Sequence, residues 1–102
     1  MGAAAAALVL AAAGVPAAAE TIRIEVKGLK FTPQEVTAKV GDTIEWVNDD
    51  FLVHTATAVD HEWDVQLPAH QSGSTVLNKP GTIAYFCRFH PNMKGTITVT
   101  AP

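Results

Sequence analysis

One cysteine, Cys87, is all this sequence contains, so no disulfide can form within the chain. At 102 residues the chain suits a single domain and leaves no room for two. A domain of that size without a disulfide needs another source of stability, and a bound metal is one. Charge is also scarce. Only 17% of residues are charged, the net charge is −3, and the seven Lys and Arg residues form no cluster. Nothing here would neutralise a row of phosphates, so nucleic acid is excluded as a partner. Helical periodicity of useful length, internal repeats, linkers and low-complexity tracts are all missing after Ala19.

Alanine inflates the 48% apolar content at the N-terminus. Residues 1–19 carry no charged side chain, and residues 3–13 resemble the apolar core of a signal peptide. Ala17, Ala18 and Ala19 fit the small-residue cleavage rule, which puts the cut before Glu20; the positive residues that usually open such a segment do not follow Met1. Gly14 and Pro16 interrupt the run, which argues against a helix of the mature fold and against a membrane anchor of roughly 20 apolar residues. The expected division is therefore a cleaved signal segment, 1–19, and a working domain, 20–102, exported to the periplasm or another extracytoplasmic space. A lone cysteine in an exported protein pairs between chains, reacts, or is held by a metal.

From Glu20 onward the pattern is of strands. Ile22, Ile24 and Val26 share one face, as do Val36, Ala38 and Val40, then Ile44 and Trp46, then Trp63, Val65 and Leu67. Residues 55–59 and 74–77 read as short strands. Residues 83–87 form a continuous apolar run, as a strand buried on both faces does. In 95–100, Ile97 and Val99 point inward while Thr96, Thr98 and Thr100 point outward. Gly41-Asp42 and Pro80-Gly81 mark turns. Seven to eight short strands with turns between them predict an all-β sandwich or small barrel.

The chemistry concentrates in Cys87-Arg88-Phe89-His90-Pro91-Asn92-Met93, a loop between two strong strands. Cysteine, histidine and methionine recur there every third residue. Soft thiolate and thioether donors select copper, and imidazole accepts it too. Three donors from one loop do not enclose an ion, so a fourth is expected from elsewhere, and His54 is the candidate. Two His and one Cys with a distant axial Met describe a blue-copper electron-transfer site. Four protein ligands leave no open position for substrate, which argues against an enzyme.

These residues resemble those of the cupredoxins. Tyr85 through Gly95 is similar to that family's copper loop, in its short Cys-x-x-His-x-x-Met version with Pro91 after the histidine. Phe31-Thr32-Pro33, the stretch from Gly41 to Asn48, and His54-Thr55 match the family's first half. The resemblance covers nearly all of 20–100. It implies a Greek-key β-sandwich holding one copper ion that cycles between Cu(I) and Cu(II). It also implies roles: His54 the buried histidine ligand, Cys87 the thiolate, His90 the histidine at the solvent edge, Met93 the weak axial thioether. Relatives often carry Asn after the first histidine to brace the copper loop; Thr55 stands there in this chain.

The function so implied is a monomeric carrier that shuttles single electrons to a redox protein partner (a cytochrome, dehydrogenase or oxidase). That partner would dock at a small apolar patch of Leu52, Val53 and Pro91 around His90. The alternative is a periplasmic copper-binding protein for delivery, storage or resistance, though the Met-rich or His-rich tracts of a reservoir are absent. After signal cleavage no membrane insertion is expected. His61 and His70 read as exposed, Trp46 and Trp63 as core, and Asp49-Asp50 as a solvated turn with some prospect of guiding a partner.

Overall fold

A computed structural model describes residues 18–102. The expected signal segment therefore lies outside the described residues, apart from Ala18 and Ala19, which carry no regular structure. Among the described residues no helix is long and apolar enough to cross a membrane.

Nine strands follow one another: β1 (Thr21–Lys27), β2 (Lys30–Thr32), β3 (Glu35–Lys39), β4 (Thr43–Asn48), β5 (His54–Ala58), β6 (Asp64–Leu67), β7 (Ser72–Val76), β8 (Gly81–Phe86) and β9 (Lys94–Thr100). They form two mixed sheets, one ordered β2-β1-β4-β7 and the other β3-β9-β8-β5-β6. β1 runs parallel to β4 and β3 parallel to β9, while every other pairing is antiparallel. The all-β sandwich expected from the alternating pattern is present. The strand that the pattern misses is β2, whose three residues are too few to show a period.

Two local expectations are corrected. The apolar run in β8 is not buried on both faces: Ala84 is exposed, Ile83 and Phe86 are half-buried, and only Tyr85 is fully covered. The strand that is buried throughout is β5, whose sequence HTATA looked unremarkable. β5 lies inside its sheet between β8 and β6. Its His54, Ala56 and Ala58 share one face, with Ala56 in the hydrophobic core, and Thr55 and Thr57 share the other. Small side chains fit a strand enclosed on both sides.

The core joins the sheets through aromatic rings. Trp46 of β4 packs against Tyr85 of β8 at 5.5 Å, edge to face, and against Trp63 at 5.1 Å. Phe31 of β2 meets Tyr85 at 4.7 Å, again edge to face, the arrangement that ring quadrupoles favour. Four of the seven aromatics (two Trp, one Tyr, four Phe) thus form one cluster, and two of the other three, Phe51 and Phe89, are exposed. Burial pushes the Tyr85 phenol up to about 12. The nearby Trp46 indole offsets this only in part, since neither it nor the Tyr85 hydroxyl has a partner in hydrogen-bond geometry. Tyr85 pairs with Gly95 across the β8–β9 ladder, and its ring occupies the space where a side chain at 95 would begin. Strand alternation then puts Cys87, two residues on, on the same inward face.

Asp42 ties the β3–β4 turn. Its carboxylate accepts the Lys39 and Glu20 N–H groups, both at 2.9 Å, and only 2% of the residue is exposed. Those backbone donors, Glu20 first and Lys39 second, hold its carboxyl below the usual range. A group whose pKa is lower folded than unfolded stabilises the fold above its unfolded pKa, and that stabilisation fades as pH falls through the folded value.

Two predictions follow from this packing. Gly95→Ala drives a methyl into the buried Tyr85 ring and is expected to cost about 1–3 kcal/mol in urea unfolding, as overpacking does; an unchanged midpoint would show that the ring gives way. Between about pH 5 and pH 2 the parent chain is expected to lose more stability than Asp42→Asn does. Parallel losses in a pH series of urea midpoints would rule out this carboxylate as a source of the acid sensitivity.

Candidate metal centre

The loop between β8 and β9 is two successive turns. His90 N–H donates to the Cys87 carbonyl at 3.2 Å, and Met93 N–H donates to the His90 carbonyl at 2.8 Å. Cys87 N–H closes the loop onto the Met93 carbonyl at 3.1 Å. Each turn comprises four residues with its ends three positions apart, so the Cys-x-x-His-x-x-Met spacing is the spacing of turn ends. Pro91, exposed and with fixed φ, opens the second turn.

The fourth expected donor arrives on β5. His54 begins that strand at the same end of the sandwich and is fully buried. Its Nδ1 stands 3.7 Å from Cys87 Sγ, and His90 Nδ1 stands 3.7 Å from the same sulfur. One donor atom from each of His54, Cys87 and His90 lies within 4.8 Å of the others. The distance is informative. Metal–sulfur and metal–nitrogen bonds of about 2.3 and 2.0 Å, set 120° apart, span about 3.7 Å. The sulfur–nitrogen separations therefore suit an ion seated between the donors. Met93 is 98% buried at the end of the same loop, with its backbone bonded to both Cys87 and His90.

Hydrogen bonds hold these donors from outside. Thr55 N–H donates to Cys87 Sγ at 3.4 Å. The Thr55 hydroxyl accepts Arg88 N–H at 2.9 Å and lies 2.9 Å from the Thr57 hydroxyl. Thr57 donates to Asp64 Oδ1 at 2.8 Å, so its proton is committed and Thr55 must be the donor to Thr57. Arg88 Nη2 stands 3.4 Å from Asp64 Oδ2 and closes the circuit. Two buried hydroxyls that would otherwise lose their water are thus satisfied. Thr55 does brace the copper-type loop, as the residue at that position was expected to, but by accepting the loop's N–H and passing its own proton along β5.

The far side of His54 faces a residue that the sequence placed in a solvated turn. His54 Nε2 is 3.0 Å from Asp50 Oδ2. Asp50 was read with Asp49 as a solvated turn; Asp49 is exposed, whereas the Asp50 side chain is only 16% exposed. The signal available in the sequence was an acid four residues before a candidate ligand. Asn48, also buried, organises this connection. Its side-chain amide donates to the carbonyls of Leu52, Leu67 and Pro68, and its Oδ1 accepts Asp50 N–H.

The outer surface of the site is apolar. His90 is half-buried, and a shallow pocket of about 230 Å³ beside it is lined by Leu29, His90, Pro91, Asn92 and Met93. Phe51, Leu52 and Val53 of the β4–β5 connection and Phe89 of the loop are all exposed. Of the expected patch of Leu52, Val53 and Pro91, Pro91 lines this pocket and Leu29 joins it, while Leu52 and Val53 are exposed. His61 and His70 are exposed in turns with positive φ and lie outside the donor cluster, as the sequence indicated.

Known proteins share this arrangement. The Cupredoxin-like domain family matches residues 1–99. The chain is 35% identical over 89 residues to amicyanin-alpha of Methylorubrum extorquens, covering 81% of this chain and 75% of that one. It is 37% identical over 86 residues to plastocyanin of Scenedesmus fuscus, covering 70% and 87%. Among solved structures, the Cu(I) form of an amicyanin mutant superimposes with a TM-score of 0.68 at 30% identity, covering 87% of this chain and 89% of that one. With a two-sheet sandwich, a His-Cys-His cluster at one end and these relatives, the chain belongs to the cupredoxin-like family.

Proposed function

We propose that this protein is an exported blue-copper electron carrier whose single copper ion is held by His54, Cys87, His90 and Met93. The observation that carries the reading is the pair of 3.7 Å separations from Cys87 Sγ to His54 Nδ1 and His90 Nδ1. The solved amicyanin relative in its Cu(I) form supports the choice of metal. When bound, copper supplies a one-electron couple between Cu(I) and Cu(II).

The chain's own residues do the rest. Cys87 supplies a fully buried sulfur whose lone pairs are oriented by Thr55 N–H. His54 and His90 present imidazole nitrogens from two different strand connections, so the donor spacing is set by the β5–β8 contact rather than by the ion. Met93, buried and brought back by the second turn, would supply a thioether as the fourth donor. A donor set fixed in this way changes little between oxidation states. With its ligands all from protein, the site keeps no position for a substrate, and the protein is a carrier rather than an enzyme.

His90 differs from His54 in being partly exposed, inside an apolar surface. A redox protein docking there would bring its own centre close to the His90 ring edge while excluding water. Such encounters are small and weak, as turnover of a carrier requires. Residues 1–19 act as the export signal, and the mature monomer works in the periplasm or another extracytoplasmic space.

Two measurements test the reading. Adding Cu(II) to the metal-free chain is expected to give an intense blue thiolate-to-copper band that Cys87→Ser abolishes and Met93→Leu retains, with the reduction potential raised as the axial donor is lost. A colourless parent chain would overturn the assignment. His90→Gly is expected to slow electron self-exchange by about tenfold or more, about 1.4 kcal/mol in the barrier, without releasing the copper. An unchanged rate would place the exit elsewhere. Reversible cycling in the same voltammetry distinguishes a carrier from a delivery protein, which would instead surrender Cu(I) to an acceptor.

A further inference from the structure

We propose that Asp50 is a positioning residue for the metal centre: its carboxylate fixes the tautomer and orientation of His54 and biases the site toward Cu(II). The inference rests on the copper reading above. It starts from the two faces of one ring. His54 presents Nδ1 to Cys87 Sγ and Nε2 to Asp50 Oδ2, 3.0 Å away. A neutral imidazole that gives the Nδ1 lone pair to a metal must carry its proton on Nε2. That N–H then donates to the carboxylate, in the manner by which a partner outside the ligand set raises the basicity of a metal-bound histidine.

Asp50 is built into this position. Its N–H donates to Asn48 Oδ1 at 2.9 Å, and its carbonyl accepts His70 N–H at 3.1 Å. Both backbone ends of the residue are therefore tied, and from that anchored position its carboxylate reaches His54 Nε2. Among the described residues its ion-pair partner is His54, while the basic side chains that form ion pairs, Arg23, Lys79 and Arg88, are engaged with Glu45, Glu62 and Asp64. Among the described residues no Lys or Arg forms an ion pair with Asp50. The His54 side chain is fully buried and that of Asp50 is 16% exposed, so little water lies between them to screen the interaction.

A negative charge joined to a ligand through its own ring stabilises the ion of higher charge. Removing it should weaken Cu(II) binding more than Cu(I) binding. A purely structural role would weaken both alike and leave their ratio, and hence the potential, unchanged.

Asp50→Asn and Asp50→Ala separate these cases. Asn keeps an oxygen able to accept from Nε2–H but lacks the charge, and Ala lacks both. For the copper-loaded proteins, the ratio of Cu(II) to Cu(I) affinity is expected to fall about tenfold in Asp50→Asn, a rise in reduction potential of about 59 mV for one electron. Asp50→Ala is expected to show at least that rise. A potential at the parent value in Asp50→Asn, with the parent chain blue, overturns the role of Asp50 and leaves the copper site standing. A parent chain that stays colourless with Cu(II) overturns both. The parent protein offers a readout independent of either variant: loaded with Cu(I), its His54 Nε2–H is expected as a downfield, slowly exchanging proton resonance. A rapidly exchanging proton there would show that the carboxylate does not hold the ring.

Discussion

The contact between β5 and β8 is the constraint on which the rest of this structure depends. Only two residue pairs make up that ladder, Thr57 with Phe86 and Ala58 with Tyr85. Beyond them, toward the metal end, the strands are joined by Thr55 N–H on the cysteine sulfur and by Arg88 N–H on the Thr55 hydroxyl. Continued in register, the ladder would pair Ala56 with Cys87 and Thr55 with Arg88, and side-chain bonds stand there instead. By ending early and handing over to side-chain bonds, the strands leave His54 Nδ1 and Cys87 Sγ 3.7 Å apart.

Loop and strand contribute different kinds of order. The Cys87–Met93 loop is stiff because its backbone bonds to itself, through two turns and a closing bond. That internal order, braced by Thr55 of β5, sets the spacing of Cys87, His90 and Met93 along the loop. The position of His54 depends entirely on long-range packing: the buried β5, the Asn48 bonds that shape the preceding connection, and the aromatic cluster that fixes β8 through Tyr85. Tyr85 sits two residues from Cys87 and over Gly95, so the core and the site share one strand.

The two histidines are unlike in ways that suit a carrier. His54 is sealed from solvent and backed by a carboxylate; His90 is half exposed and lines a shallow pocket with Leu29, Pro91, Asn92 and Met93. Buried, charged surroundings act on the stability of an oxidation state, whereas an apolar rim acts on which surfaces approach. In the proposed copper site these tasks would fall to different histidines, one buried beside Asp50 and one at the surface.

Much of this was legible before any coordinates. Period-2 alternation marked the strands that bury one face, such as β1, β3, β4 and β9, and β2 escaped because three residues cannot display a period. The three-residue spacing of Cys87, His90 and Met93 was local chemistry written in the chain. Tertiary structure alone decided what depends on distant partners. It buried β5, whose Thr and Ala residues carry no hydrophobic signature, and exposed part of β8, whose apolar run suggested burial. It also turned Asp50 from a presumed solvent-facing acid into the neighbour of His54. Sequence specifies donors and periodicities because those are properties of single segments; which segments meet, and at what separation, follows from packing two sheets around one core.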